Sequence, residues 1–166
     1  MKKILAISVI MLAFSAGLFA QNQATATATA VIVTPISITQ TADMSFGNII
    51  ASVGGGTVVL TPAGVRTPAG VTFPAVGGTV TAASFNVAGQ ANLTYSITLP
   101  ASHTINSGAN SMLVDAFSSS TLSGTATLSG TGTDVLTVGA TLNVGAAQPA
   151  GTYTNAAGFT VTVNYN

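Results

Sequence analysis

His103, within Pro100-Ala101-Ser102-His103-Thr104, is the single imidazole that could serve as a general base. Nucleophilic catalysis needs such a base beside an activated hydroxyl or thiol, usually with an orienting carboxylate. Asp43, Asp115 and Asp134 supply carboxylates and serines are plentiful, but no Gly-x-Ser-x-Gly turn presents a nucleophile. His103 therefore reads as a solvent-exposed loop residue. Zinc asks for three or four His, Cys or carboxylate ligands, and one histidine without any cysteine does not supply them. Calcium asks for clustered oxygens, yet Asp134, after Gly130-Thr131-Gly132-Thr133, has no second carboxylate near it in sequence. Asp43 and Asp115 read as turn or strand-edge residues, with Asp43 expected to hold the Thr41–Met44 turn through an Asx bond. Gly54-Gly55-Gly56 lacks the Gly-Lys-Ser/Thr of a phosphate loop and reads as a loop or bulge. With no Glu and no Trp, paired carboxylates for glycoside hydrolysis fail by inventory. The expectation is a protein that is not an enzyme, with no catalytic residue, no metal site and no cofactor.

The elements around these residues point to export and to strands. Met1-Lys2-Lys3 precedes an apolar run, Ile4–Ala20, that ends in small residues, the pattern of a secretory leader over 1–20 with cleavage after Ala20. The run is shorter than the ~20 residues of a spanning helix and holds Ser8, Ser15 and Gly17, so no stable membrane span is expected. Beyond it, Arg66 stands alone against the three aspartates. One arginine makes no basic patch, which argues against nucleic acid as a partner. The remainder is rich in Thr, Val, Ala, Gly, Ser and Asn, a strand-and-turn composition. Without cysteine, no disulfide can brace the exported fold. Few charges guard its sheet edges, which are easier to understand if another chain covers them.

Period-two patterning recurs along the chain. Ala24–Val33 alternates and continues as Thr34-Pro35-Ile36-Ser37-Ile38-Thr39, one extended segment or two strands in line broken near Pro35. Asp43–Ile49 predicts a short strand after a turn. Thr57–Leu60, the Thr61-Pro62-Ala63-Gly64 turn and Val65–Thr67 predict a hairpin, and Pro68 to Gly78 a looped region. Strands follow at Thr79–Val87, Leu93–Leu99, Met112–Phe117, Thr121–Leu128, Val135–Val138 and Thr141–Val144, with Gly139 suggesting a hairpin between the last two. Phe159–Tyr165 alternates to the end. Short strands with turn residues between them predict an all-β antiparallel β-sandwich. The expected organisation is an N-terminal extension over 21–33 and a sandwich domain over 34–166.

Function is then expected in strands rather than in a pocket. The alternating beginning and the alternating end together fit strand addition, in which one chain's extension completes another's sheet. The candidate donor residues are Ala26, Ala28, Ala30, Val31, Ile32 and Val33, with Ile32 or the pair Val31 and Val33 as the bulkier anchors. The candidate terminal strand is Phe159, Val161, Val163 and Tyr165. A self-contained secreted adhesin or carbohydrate-binding module is the alternative.

Thr41-Ala42-Asp43-Met44-Ser45-Phe46-Gly47, Tyr95–Pro100, Leu142-Asn143-Val144-Gly145 and Pro149–Tyr153 leading into Phe159–Asn166 together resemble the secreted bacterial domain-of-unknown-function family numbered forty-four hundred and two. Asp43-x-x-Phe46-Gly47 and the Gly151-Thr152-Tyr153 to Tyr165 ending resemble, more distantly, spore-coat-U-type subunits of archaic chaperone–usher pili. That second resemblance implies an immunoglobulin-like, pilin-like sandwich that is incomplete, filled by a neighbour's N-terminal strand and handled by a periplasmic chaperone and an usher. It implies self-association or related subunits as partners, in the periplasm and then at the cell surface or outside the cell. The chain departs from that group in having no cysteine, and in carrying Ala24, Ala26 and Ala28 where bulky anchors would bury more area.

Overall fold

The structure is a computed structural model that describes residues 22–121 and 124–166. The leader expected over 1–20 and the first residue of the extension, Gln21, lie outside the described residues. Residues 33–166 form one compact unit. The described residues before it, 22–32, join no helix or strand and are exposed throughout.

Every regular element among the described residues is a strand. In chain order these are β1 (Ser37–Ala42), β2 (Ser45–Phe46), β3 (Gly56–Leu60), β4 (Arg66–Ala69), β5 (Val80–Thr81), β6 (Ala83–Ala88), β7 (Thr94–Thr98), β8 (Ser102–Ser107), β9 (Asn110–Ser119), β10 (Thr125–Thr127), β11 (Thr133–Val144) and β12 (Thr162–Tyr165). All ladders are antiparallel. The chain is therefore an all-β protein whose sheets curl into a sandwich-like arrangement.

The longest strand, β11, is the spine of a seven-stranded sheet. Its first half, Thr133–Val138, pairs with β6, and its second half, Ala140–Val144, pairs with β3. Strand β9 joins from Val138 to Asn143. Strands β1, β4 and β8 extend the sheet through β6, β3 and β9 respectively. The three-stranded sheet β10-β7-β12 forms a second layer, and β2 pairs with β5 alone.

Alternation along these strands builds two cores. In the first, Phe85 and Val87 of β6 and Leu136 and Val138 of β11 pack with Tyr95, Ala126, Leu128, Val161 and Val163 from the second layer. Ile36 and Ile38, the end of the long alternating segment, pack there as well. In the second core, Val58 and Leu60 of β3 and Ala140, Leu142 and Val144 of β11 meet Phe46, Val71 and Val114. Segments with little pairing of their own cover this second core.

The expected hairpin at Gly139 does not form; Thr133–Val144 is one strand. Gly139 lies inside it, where a Cβ would come within 2.1 Å of the Leu60 carbonyl oxygen. The glycine marks a close approach of two backbones and a shift in the β9 register, not a turn. The expected loop at Pro68 is also corrected, because β4 runs through it. Among the described residues, strand β4 has only β3 as a ladder partner, so a residue lacking N–H fits at this sheet edge. Thr79–Val87 divides at Ala82, because β5 pairs with β2 while β6 pairs with β1 and β11. Strand pairing begins only at Ser37, so the alternating residues of the extension do not continue β1 as a ladder.

Candidate interaction site

The second layer covers only part of the seven-stranded sheet. Over the second core lies a cleft of about 1150 Å³, with Ile105 of β8, Met112 and Val114 of β9, and Leu142 and Val144 of β11 among its lining residues. Two irregular segments, 43–51 and 148–159, contribute its walls.

The first wall is fixed by the chain's lone arginine. From β4, Arg66 Nη1 donates to the carbonyl oxygens of Phe46 and Asn48, the latter at 3.0 Å, and Nη2 donates to that of Gly77 at 3.1 Å. Its guanidinium also lies 3.7 Å from the centre of the Phe73 ring. Asn48 N donates to Gly77 O, and Ile50 and Thr72 exchange both backbone bonds. The segment is thus tied to residues 72–81 along one edge. Sequence reasoning missed this role, because a single Arg in a hairpin has no distinguishing pattern.

The opposite wall is fixed by side-chain bonds. Gln148 Nε2 donates to the Tyr153 hydroxyl at 2.9 Å and to Ser111 O at 3.2 Å, while that hydroxyl donates to Pro149 O at 2.8 Å. Thr154 exchanges backbone bonds with Asn106 of β8, and Asn155 Nδ2 donates to Thr104 O at 2.9 Å. Phe159 ends the wall, its ring 4.9 Å from that of Phe117 and 6.5 Å from that of Phe85.

His103 is not a loop residue. It lies in β8, half-buried, with its ring 6.1 Å from that of Phe159. The polar run Ser102–Ser107 concealed the strand, since of the half-buried His103, Ile105 and Ser107 only Ile105 is aliphatic, before the tight turn at Gly108-Ala109. Asp115 sits within β9 opposite Thr141 and Ser102, not in a turn. The Asp43 carboxylate accepts from the Gln40 side chain, in place of the expected Asx bond, and the Asp43 carbonyl accepts from Thr81 Oγ1 at 2.8 Å. Asp134 accepts from the Tyr95 hydroxyl at 2.7 Å. Burial of Tyr95, then the hydrogen bond to Asp134 and its negative charge, push the phenol well above its ordinary value. The three aspartates are therefore spread over different elements, and no metal-binding group of three or more His, Cys, Asp or Glu occurs among the described residues.

The two terminal segments differ in placement. Val161 and Val163 are buried in the first core, with Phe159 and Tyr165 packed against it. Of this run only Thr162–Tyr165 forms a strand, β12, whose ladder partner is β7. Tyr165 also acts as a latch. Its hydroxyl donates to Thr34 O at 2.8 Å and accepts from Gln90 N. Gly89 makes room for it, because a Cβ there would stand 2.1 Å from the hydroxyl oxygen. Thr34 N donates in turn to Gln90 Oε1 at 3.4 Å. The root of the extension is therefore pinned at Thr34. Ahead of it Val31 and Ile32 are 85% and 96% exposed. Ala26, Ala28 and Ala30 are also exposed, Val33 less fully so.

Fold and site together define a β-sandwich-like domain with an open cleft in its second layer, preceded by an exposed N-terminal segment. The chain belongs to the family described as Domain of unknown function (DUF4402), which matches residues 36–165. No curated protein and no solved structure matches the chain. Among the described residues, no helix is long and apolar enough to cross a membrane.

Proposed function

We propose that the protein is a non-enzymatic structural subunit of a bacterial surface fibre, assembled by addition of a strand from one copy to the sheet of another. The supporting observation is the coexistence, in one chain, of an exposed alternating segment, 24–33, that lies in no strand among the described residues and an open cleft in the second layer. An alternating segment can gain ladder partners by entering a sheet, and a cleft whose floor holds half-buried Ile105 and Met112 can accept one. Residues 1–20 act as the leader in this reading, and export through the periplasm brings the subunit to the cell surface. A periplasmic chaperone would cover the cleft until a neighbouring subunit, delivered at an usher, replaces it.

Deletion of residues 22–29 tests the reading by negative-stain microscopy and size-exclusion chromatography. The full chain is expected to form fibres or heat-stable oligomers, and the shortened chain only monomers. Identical assembly of the two chains removes the extension from the mechanism. A full chain that stays a stable monomer favours the self-contained adhesin or carbohydrate-binding module.

A further inference from the structure

The cleft gathers the soft donor atoms of the domain. Among the described residues two side chains carry sulfur, Met44 and Met112, and one carries an imidazole, His103. All three line the cleft. We propose that Met112, His103 and Met44 bind a soft monovalent cation, copper(I), there. Such a site goes beyond strand addition and does not depend on it.

Register places two of the donors. In the β8–β9 ladder His103 stands opposite Val114, and Ile105 opposite Met112. All four line the cleft, so they share the inward face. His103 and Met112 are therefore diagonal neighbours, ~7–8 Å apart at the backbone, a gap that long side chains span. Met44 comes from the wall 43–51 and packs against the same second core as Met112. It also packs against the first core, as Phe117 does. The Phe159 ring, 4.9 Å from that of Phe117, is 6.1 Å from the His103 ring, so the aromatic cluster draws the imidazole toward the junction of the two cores. Methionine is a common gap filler in cores, but here neither sulfur-bearing side chain is fully buried and both open on the cleft that holds the one histidine.

The imidazole is available as a ligand. His103 is half-buried, yet no protein group among the described residues hydrogen-bonds to its ring. No fully buried side-chain nitrogen lacks a partner, so the unpartnered ring nitrogens are open to the cleft. The set escapes an inventory of His, Cys, Asp and Glu, because two of its three donors are thioethers. Thioether sulfur selects copper(I), and imidazole suits copper as well.

Charge points the same way. Thioethers and a neutral imidazole bring no negative charge, so a divalent ion would carry twice the uncompensated charge of a monovalent one into a partly apolar cleft. Asp43, next to Met44, is the carboxylate of the lining and favours a cation. Arg66 donates to the carbonyls of Phe46, Asn48 and Gly77 and does not line the cleft.

Anaerobic titration of the full chain with copper(I), in competition with a chromophoric copper(I) chelator, tests the site, with silver(I) as a redox-inert probe. A single copper(I) ion is expected to bind, and Met112→Leu, Met44→Leu and His103→Gln are each expected to weaken it by about tenfold or more. Leucine keeps the volume of methionine, so the packing survives those two changes. In the unsubstituted chain, silver(I) is expected to shift the methyl NMR signals of Met44 and Met112 together with the ring signals of His103, a readout that no variant's folding can confound. Signals unmoved by silver(I), copper(I) affinity unchanged in folded Met112→Leu and His103→Gln, or displacement of copper(I) by an equal concentration of zinc(II) overturns the site.

Discussion

The two ends of the sandwich are built from the same spine strand and finished differently. Around the first half of β11, the sheet β10-β7-β12 closes over Phe85, Val87, Leu136 and Val138, and Tyr95 is fully buried. Around the second half, Val58, Leu60 and Leu142 pack with Phe46, Ile49 and Val71 from sparsely paired segments tied through Arg66, and segment 148–159, held through Gln148 and Asn155, lines the cleft beside them. One end is sealed by a ladder and the other by side-chain ties. A sheet layer supplies its own backbone partners, whereas a wall of irregular segments depends on side chains for its position. Stability should therefore concentrate in the closed end and adaptability in the open one.

The largest expected effect comes from breaking the closed end. Leu136→Ala removes a side chain that is 1% exposed, and should cost about 2–5 kcal/mol in denaturant unfolding. Met112→Ala in the half-buried floor of the open end should cost distinctly less, so equal losses would erase the contrast.

Arg66→Met should follow. It retains an apolar stem over Phe73 and removes the donors to Phe46, Asn48 and Gly77. The expected cost is about 1–3 kcal/mol, with faster amide exchange in segment 45–50 while β6 and β7 stay protected. Uniform exchange throughout the domain would mean that Arg66 braces the whole fold rather than one wall.

The closed end should also carry an alkaline weakness. The folded Tyr95 holds its proton above the ordinary tyrosine value because it is buried and bonded to Asp134. The unfolded chain releases that proton from about pH 10, so this contribution is intact below pH 10 and is lost as pH rises further. Unfolding free energy should fall by about 1.4 kcal/mol per pH unit in that window. Tyr95→Phe should flatten this fall, and an unchanged slope would refute the role given to the pair.

Tyr165→Phe is expected to be the smallest change, about 1 kcal/mol for the loss of the hydroxyl that joins Thr34 and Gln90. Its sharper readout is local, because backbone order at residues 33–36 should drop while β12 remains paired with β7.

The sandwich was legible wherever an apolar alternation met turn residues. Leu93–Leu99 predicted β7, and the Thr61–Gly64 turn predicted the β3–β4 hairpin. Legibility failed where long-range contact decides the local form. Gly139 has the composition of a turn but is demanded by the Leu60 carbonyl, a residue far away in sequence. Ser102–Ser107 is polar enough to read as a loop, yet β9 pairs with all of it. The alternation of Ala24–Val33 is a local property and was visible, but alternation alone does not say whether a partner exists. The cleft was invisible for the same reason. Its walls are joined by Arg66 and Gln148 to carbonyls whose positions the fold alone determines.

Hydrogen–deuterium exchange on the assembled full chain, compared with the chain lacking residues 22–29, tests the open end most directly. Protection is expected in the assembled chain at residues 24–30, and segments 45–50 and 152–159, which keep their own backbone bonds, should exchange faster in the shortened chain than in the assembled one. Assembled protein in which residues 24–30 exchange as fast as in an unfolded peptide would contradict strand addition at the cleft.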